Sequence, residues 1–211
     1  MLPLLEELLK IREEAQFEAL IQGLVDQQYG VCDEFLEEYI LAGLRGNLQR
    51  LKTEGHMHPA GVGKKFDYQK NAVVRGDLIR WIEKDSTDPF ENFFMRKVTD
   101  FVSYLNRTCY TSINDFEFHY ANYEPFSFYK RHLDQFKSDK GRKFSLVMYL
   151  NEYWQEEDGG NISLYPEGND PVNIYPVNGR VVFFKSDEME HEVHPSFNRS
   201  RISIAGWLKS V

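Results

Sequence analysis

Two histidines and one aspartate in the second half of the chain have the types and the spacing of metal ligands. His132 and Asp134 are separated by one residue, and positions i and i+2 of an extended chain project from the same face. A lone His-x-Asp also occurs as a surface histidine beside an ion-paired aspartate. His191, near the start of a later predicted strand, supplies a third ligand. Two imidazoles and one carboxylate leave coordination positions open, as non-haem Fe(II) sites do.

Arg201 follows His191 closely and begins a strand-like segment. Alternation sends Arg201, Ser203 and Ala205 to one face of that strand. A guanidinium that points into a barrel needs an anion, because an unpaired buried charge is very costly. A dicarboxylate cosubstrate would supply that anion through a bidentate pair. The alternative is a structural arginine bonded to an Asp or Glu, which we would prefer if no metal ligands lay nearby.

Composition and charge limit the classes of function. The chain has 211 residues, a formal charge of −8 and 42% hydrophobic residues, which fits one globular domain. The acidic balance argues against nucleic acid as a partner, because such proteins usually carry a basic excess. We expect no secretion signal, because the N-terminal leucines are interleaved with charged residues, and no membrane segment, since no run of about 20 apolar residues occurs. Two widely separated cysteines, Cys32 and Cys109, suit a reducing compartment. We therefore expect a cytoplasmic protein.

The first part of the chain is predicted to be helical. Leucine and isoleucine recur at nearly one-turn spacing over 36–51, on a helix that ends near Gly55. A glycine-rich loop is predicted at 55–72 and a strand at 73–82. Asp88 and Pro89 predict the N-terminus of a second helix, which would pack against a sheet.

Short runs of aromatic and β-branched residues, separated by Gly, Pro, Asn and Asp, dominate the sequence from about 115 onward. Eight such runs point to a sandwich or barrel. They lie at 116–123, 126–130, 143–151, 161–165, 172–175, 179–185, 190–194 and 200–208.

These residues resemble the prolyl 4-hydroxylase-like branch of the Fe(II)/2-oxoglutarate oxygenases, especially bacterial relatives of the hypoxia-inducible-factor prolyl hydroxylases. The resemblance covers roughly 59–208, and seven motifs occur in the family's order. They are Arg75-Gly76-Asp77-x-Ile79-x-Trp81-Ile82-Glu83, Tyr123 with Tyr129-x-x-His132-x-Asp134, Tyr149-Leu150-Asn151, Gly159-Gly160, Gly179-Arg180, His191-Glu192-Val193-x-Pro195 and Arg201-x-x-Ile204-x-x-Trp207.

The resemblance implies a mainly β fold with flanking helices. Its core would be a double-stranded β-helix, or jelly roll, with N-terminal helices packed on one sheet. We expect a helical extension at 1–55 and the oxygenase domain at 56–211, together one compact domain. The family's closing loop over the substrate would correspond to 59–72.

The resemblance also implies roles for individual residues. Arg201 would pair with the distal carboxylate of 2-oxoglutarate, assisted by the hydroxyl of Tyr149. The iron ligands would be His132, Asp134 and His191. Two further tyrosines would line the pocket near cosubstrate and metal, or alternatively serve only as core packing: Tyr123 and Tyr129. His194 is expected outside the ligand set, and His56, His58 and His119 as ordinary loop or core residues.

The implied cofactors are Fe(II), 2-oxoglutarate and O2, with ascorbate as a supporting reductant. The implied substrate is a prolyl residue of a peptide or protein, for which elongation factor Tu is a candidate. Three alternatives stay open at this point: the same chemistry on another side chain or small molecule, a barrel binding module without catalysis, and a metal-dependent cupin that uses no 2-oxoglutarate. Arg201 argues against the cupin.

Overall fold

The computed structural model describes residues 2–61, 75–135 and 141–211 of the chain. Over these residues the chain forms three α-helices and eleven strands. The helices are α1 (Leu2–Gln27), α2 (Glu38–Thr53) and α3 (Pro89–Cys109). The strands are β1 (Tyr29–Cys32), β2 (His58–Pro59), β3 (Asp77–Trp81), β4 (Asp115–Tyr123), β5 (Tyr129–His132), β6 (Arg142–Tyr149), β7 (Ile162–Tyr165), β8 (Val172–Ile174), β9 (Val181–Lys185), β10 (Glu190–Val193) and β11 (Arg201–Lys209).

The strands form two antiparallel sheets that face each other across a cavity. The major sheet has the order β1-β9-β6-β11-β4-β3-β2, and the minor sheet has the order β5-β10-β7-β8. All eight strands predicted after residue 115 are present, with ends that differ by up to three residues. The prediction of a mainly β, double-stranded β-helix core with helices on one sheet is confirmed.

Helix α3 begins and ends where the sequence signals lie. The Asp88 carboxylate accepts hydrogen bonds from the backbone N–H groups of Phe90 and Glu91 at 2.9 and 3.0 Å, which satisfies two donors that have no partner within the helix. Pro89 occupies the first turn, where its missing N–H costs nothing. The helix ends at Cys109, and Tyr110 takes a left-handed conformation after it. The predicted cap is confirmed.

The main core lies between the helices and the outer face of the major sheet. Strand β11 shows how alternation divides its residues: Ile202, Ile204 and Leu208 join this core, while Arg201 and Ser203 face the other way, into a cavity. Burial of each aliphatic side chain contributes roughly 1.5–3 kcal/mol. The predicted alternation in β11 is confirmed, and it gives one strand both a structural and a site-forming face.

The N-terminal region contributes a strand that the sequence pattern did not predict. β1 pairs antiparallel with β9 along the edge of the major sheet. The preceding helix α1 crosses it so closely that a Cβ built on Gly30 would lie 2.1 Å from the carbonyl oxygen of Leu20. Only glycine fits that crossing. The boundary at residue 55 stays a prediction.

The segment before α3 is described only in part. β2 and β3 extend the major sheet, so the strand predicted at 73–82 is confirmed over 77–81, while residues 62–74 lie outside the described residues. Most of the predicted loop at 55–72 therefore also lies outside them. Within the described ranges, none of the helices is long and apolar enough to cross a membrane.

Candidate active site

A cavity of about 540 Å³ lies between the two sheets. The major sheet contributes residues of β3, β4 and β11, and the minor sheet contributes residues of β5 and β10. The cavity is lined by His132, Asp134, His191 and Arg201, together with the tyrosines Tyr123 and Tyr129. Tyr149 contacts Arg201 from β6. The structure thus brings together all seven side chains that the sequence singled out.

Cross-strand pairing brings the two histidines together. His132 at the end of β5 is the register partner of His191 in β10, and opposite residues of an antiparallel pair have neighbouring side chains. Asp134 lies in a bend after β5, with its carboxylate 3.5 Å from His132 Nε2 and 3.7 Å from His191 Nε2. The three potential ligand atoms all lie within 4.8 Å of one another. This group could hold one metal ion.

Backbone hydrogen bonds orient both imidazoles. His132 Nδ1 lies 2.7 Å from the carbonyl oxygen of Lys130, and His191 Nδ1 lies 3.2 Å from that of Met189. Because a carbonyl oxygen only accepts, each Nδ1 donates its hydrogen, and each Nε2 keeps a free lone pair directed at the Asp134 carboxylate. This tautomer and orientation are what metal-binding histidines require.

The protonation states also suit a metal. Burial lowers the pKa of His191 to about 4, although Asp134 opposes the shift, so the imidazole is neutral at pH 7. Burial raises the pKa of the Asp134 carboxyl, but His191, His132 and the Ser145 hydroxyl outweigh it and hold that pKa well below its ordinary value. Ser145 donates to Asp134 at 2.7 Å. Two imidazoles and a carboxylate are a donor set for Fe(II).

Arg201 is buried deeper in the same cavity without an ionic partner. The residue is 2% exposed; its Nε donates to the carbonyl oxygen of Gly160 at 2.9 Å, and its Nη1 lies 3.5 Å from the Ser203 hydroxyl. Among the described residues, no carboxylate lies within ion-pair distance of it. An unpaired buried guanidinium is costly and favours the binding of an anion.

Tyr149 adds a second unsatisfied group beside Arg201. The guanidinium lies 4.9 Å from the ring centre of Tyr149, and the buried Tyr149 hydroxyl has no hydrogen-bond partner within the described part of the chain. Burial raises the pKa of that hydroxyl, although Arg201 opposes the shift, so it remains a neutral donor. A guanidinium without a carboxylate partner among the described residues and an O–H group without an acceptor there together form a pocket for a carboxylate.

The other two tyrosines lie on either side of this pocket. Tyr123 in β4 is the register partner of Arg201 in β11, and its ring centre is 5.1 Å from the guanidinium. Tyr129 stacks on His132 with ring centres 3.5 Å apart and planes inclined by 17°. Tyr129 therefore contacts a candidate metal ligand, and Tyr123 contacts the candidate anion-binding arginine.

Among the cavity residues that the sequence did not identify as site residues are Trp81, His119 and Trp207. His119 is buried, as a core residue would be, but it also lines the cavity wall. Alternation along β4 was the available signal, because His119, Ala121 and Tyr123 share one face. His194 lies outside the metal-binding group and contacts Ser163 and Glu192.

Comparisons with known proteins agree with this geometry. The 2OG-Fe(II) oxygenase superfamily profile matches residues 118–209. A prolyl-4-hydroxylase from Pseudomonas putida is 30% identical, with a TM-score of 0.83 over 92% of this chain and 99% of that one. A prolyl hydroxylase from Trichoplax adhaerens, solved with a hypoxia inducible factor peptide fragment, is 24% identical, with a TM-score of 0.85 over 94% and 91% of the two chains.

A more distant structure shares the fold. The viral collagen prolyl hydroxylase from Paramecium Bursaria Chlorella virus-1, solved with 2-oxoglutarate, is 17% identical, with a TM-score of 0.61 over 88% of this chain and 98% of that one. The family requires Fe(II), 2-oxoglutarate and O2, and the clustered His132, Asp134 and His191 supply a fitting donor set for the metal. The resemblance inferred from the sequence motifs is confirmed: the chain belongs to the 2OG-Fe(II) oxygenase superfamily, as a prolyl hydroxylase-like dioxygenase.

Proposed function

We propose that this oxygenase hydroxylates a prolyl residue of a peptide or protein substrate. His132, Asp134 and His191 would hold Fe(II), and Arg201 with Tyr149 would bind the distal carboxylate of 2-oxoglutarate. The observation that carries the proposal is a single cavity that contains a three-residue metal-binding group and an arginine without a carboxylate partner.

The assignment of the metal ligands rests on the Nε2 lone pairs of the two histidines, which are available to a metal ion. Both Nδ1 atoms are occupied by backbone carbonyl oxygens, so only the Nε2 atoms are free to coordinate. The carboxylate of Asp134 is held by Ser145, whose hydroxyl in turn lies 2.8 Å from that of Ser186. Such outer hydrogen bonds fix ligand orientation and contribute substantially to metal affinity.

The assignment of the cosubstrate site rests on charge complementarity. 2-Oxoglutarate is a diacid, so one carboxylate can bind the guanidinium of Arg201 while the oxo-acid end reaches the metal. When bound, Fe(II) and 2-oxoglutarate activate O2, releasing succinate and CO2 and placing one oxygen atom in a substrate C–H bond. The protein binds and orients the diacid, and the buried pocket excludes water from its distal end.

The substrate assignment rests on the similarity to known prolyl hydroxylases and on the aromatic residues that line the cavity. The 30% identical relative from Pseudomonas putida is a prolyl-4-hydroxylase, and the Trichoplax adhaerens enzyme was solved with a peptide. Trp81 and Trp207 give the cavity an aromatic wall, which suits the apolar pyrrolidine ring of proline. Elongation factor Tu as the target and a cytoplasmic location stay predictions from the sequence.

Turnover of proline-containing peptides tests this function directly. The purified chain is incubated with Fe(II), 2-oxoglutarate, ascorbate and capped peptides that each contain a single proline. We expect a mass increase of one oxygen atom on proline, with succinate formed in equal amount. Peptides with alanine in place of proline are the control. Oxidation of a residue other than proline would refute the prolyl assignment but not the oxygenase chemistry.

Metal binding is tested separately by calorimetry with Mn(II), which resembles Fe(II) but does not react with O2. Asp134→Ala should abolish measurable binding of Mn(II). Asp187→Ala, at an exposed aspartate, is the matched control and should bind as the wild type does. Equal Mn(II) affinity in both variants would contradict the ligand assignment.

A further inference from the structure

His119 stands in the cavity wall between two tryptophans. In the major sheet it is the register partner of Trp81 in β3 and of Ala205 in β11. Its ring centre lies 4.9 Å from that of Trp81 and 5.5 Å from that of Trp207, and the Trp207 ring is stacked against it. All three side chains line the cavity that holds the metal-binding group.

The imidazole of His119 has no hydrogen-bond partner among the described residues. Its Nδ1 is enclosed and unpartnered, and Nε2 is not among the enclosed atoms. Burial lowers the pKa of His119 to about 4, with a further contribution from Arg75, so the ring is neutral and carries one hydrogen. An enclosed N–H without an acceptor is rarer and costlier than an enclosed lone pair. The hydrogen therefore resides on Nε2, and His119 presents a neutral donor.

The neighbouring charges indicate which acceptor this donor suits. Two guanidinium groups lower the pKa of His119, those of Arg75 and Arg142. Each of them already has a carboxylate partner, Asp77 and Glu117 respectively. Neither of these two guanidinium groups is therefore free to balance an anionic ligand beside His119. A neutral acceptor between aromatic walls fits this environment, and a peptide carbonyl group is the commonest neutral acceptor in proteins.

We propose that His119 is a specificity-determining residue that donates a hydrogen bond from Nε2 to a main-chain carbonyl oxygen of the peptide substrate, between Trp81 and Trp207. This inference rests on the proposed peptide hydroxylation and assigns a donor that recognises the peptide backbone. Trp207 stacks on His119 in the same cavity wall, and its enclosed indole Nε1 has no hydrogen-bond partner among the described residues.

Steady-state kinetics with two substitutions test the donor. His119→Leu removes it at similar size, and His119→Gln restores an N–H donor on a side chain of similar reach. With the best proline-containing peptide from the turnover experiment, we expect His119→Leu to raise KM roughly five-fold, as loss of a neutral hydrogen bond does, with less change in kcat. His119→Gln should recover most of the affinity. His56→Leu, at an exposed histidine, is the matched control.

Two outcomes would overturn the proposal: an unchanged KM in His119→Leu, or an equal rise in both variants, which would indicate a packing role only. The dissociation constant of 2-oxoglutarate, measured by calorimetry, verifies that each variant is folded around its pocket.

A binding measurement separates this inference from the proposed reaction. N-acetyl-prolinamide is titrated into the Mn(II)- and 2-oxoglutarate-loaded protein, and the tryptophan fluorescence is followed, since Trp81 and Trp207 flank the site. We expect saturable quenching in the wild type and weaker binding in His119→Leu. If no peptide is hydroxylated but the wild type still binds N-acetyl-prolinamide more tightly than His119→Leu does, only the proposed hydroxylation is refuted. The absence of saturable binding to the wild type refutes the role of His119.

Discussion

Two arginines that line the same cavity have opposite electrostatic surroundings. Arg75 makes a bidentate pair with Asp77, at 2.7 and 2.6 Å, and the Asp77 side chain is completely enclosed. Arg201 is more deeply buried than Arg75, yet its described partners are the carbonyl of Gly160 and the hydroxyl of Ser203. The first pair is electrostatically complete, whereas the second arginine lacks a counterion.

This contrast distinguishes Arg75, whose charge has a structural role, from Arg201, whose charge is available to bind a ligand. A buried ion pair with satisfied hydrogen bonds adds little net stability, but breaking it is strongly destabilising. A buried charge without a partner is already in an unfavourable state and gains most when a ligand supplies the counterion. Arg75 should therefore matter mainly for folding, and Arg201 mainly for cosubstrate binding.

Replacement of Arg75 by Met should lower the free energy of unfolding by about 3–5 kcal/mol, because it leaves the Asp77 carboxylate enclosed and unpaired. Urea denaturation followed by circular dichroism measures this change. The double variant Arg75→Met/Asp77→Asn also removes the unpaired carboxylate of Asp77 and should recover much of the lost free energy of unfolding. Equal stability of the single and double variants would contradict the structural role.

Replacement of Arg201 by Met should have the reverse pattern. The free energy of unfolding of the ligand-free protein should change by less than about 1 kcal/mol, since no carboxylate loses its partner. The dissociation constant of 2-oxoglutarate should rise about 100-fold, or about 3 kcal/mol, as for loss of a buried charge pair. Calorimetry with Mn(II)-loaded protein measures it. Unchanged 2-oxoglutarate affinity would refute the role of Arg201.

Acid should destabilise the ligand-free protein partly through His119, which, like Arg201, is a buried basic group without a carboxylate partner among the described residues. Its pKa falls from 6.5 to about 4 on folding, mainly through burial. The unfolded chain therefore binds more protons, and the stability linked to neutral His119 is present above about pH 6.5 and lost as the pH falls toward 4. Between pH 7 and pH 5 the loss is about 2 kcal/mol.

Comparison of the wild type with His119→Gln isolates this contribution, because the other histidines titrate in both proteins. The variant should lose about 2 kcal/mol less than the wild type over that interval, as measured by urea denaturation at each pH. An identical pH dependence would show that His119 is not held neutral by the fold.

An exposed arginine next to the site should have the smallest effect. Arg131 pairs with Glu190, and both side chains are nearly half exposed, although each adjoins a proposed iron ligand in the sequence. Exposed pairs contribute little because water and salt screen them. Glu190→Gln should change the free energy of unfolding by about 0.5 kcal/mol or less and leave Mn(II) affinity as in the wild type. A loss of metal affinity would show that this pair positions the histidines.

Local sequence signals predicted much of the fold. Asp88 and Pro89 locate the start of α3 because capping depends only on neighbouring residues. The alternation in β11 correctly divides its residues between the core and the cavity. In contrast, β1 was not predicted, because four residues between two helices carry little periodicity and become a strand only by pairing with β9.

The metal site could be anticipated only in its residue types. The prediction that His132 and Asp134 share a face assumed an extended chain through both, whereas Asp134 lies in a bend after β5. The carboxylate still converges on the histidines because Ser145 from β6 holds it. The sequence alone could not identify Ser145 as that partner, since the contact joins two different sheets.

The sequence determined the chemical inventory of this protein: two imidazoles, a carboxylate and a guanidinium, in the order and spacing of the oxygenase motifs. These follow from residue identity and from short-range periodicity. The tertiary structure decided which charged groups have partners. Asp77, the carboxylate partner of Arg75, is only two residues away in the sequence. Whether a carboxylate reaches Arg201 depends instead on the packing of distant segments, and among the described residues none does, because ion pairing requires distances of a few ångströms.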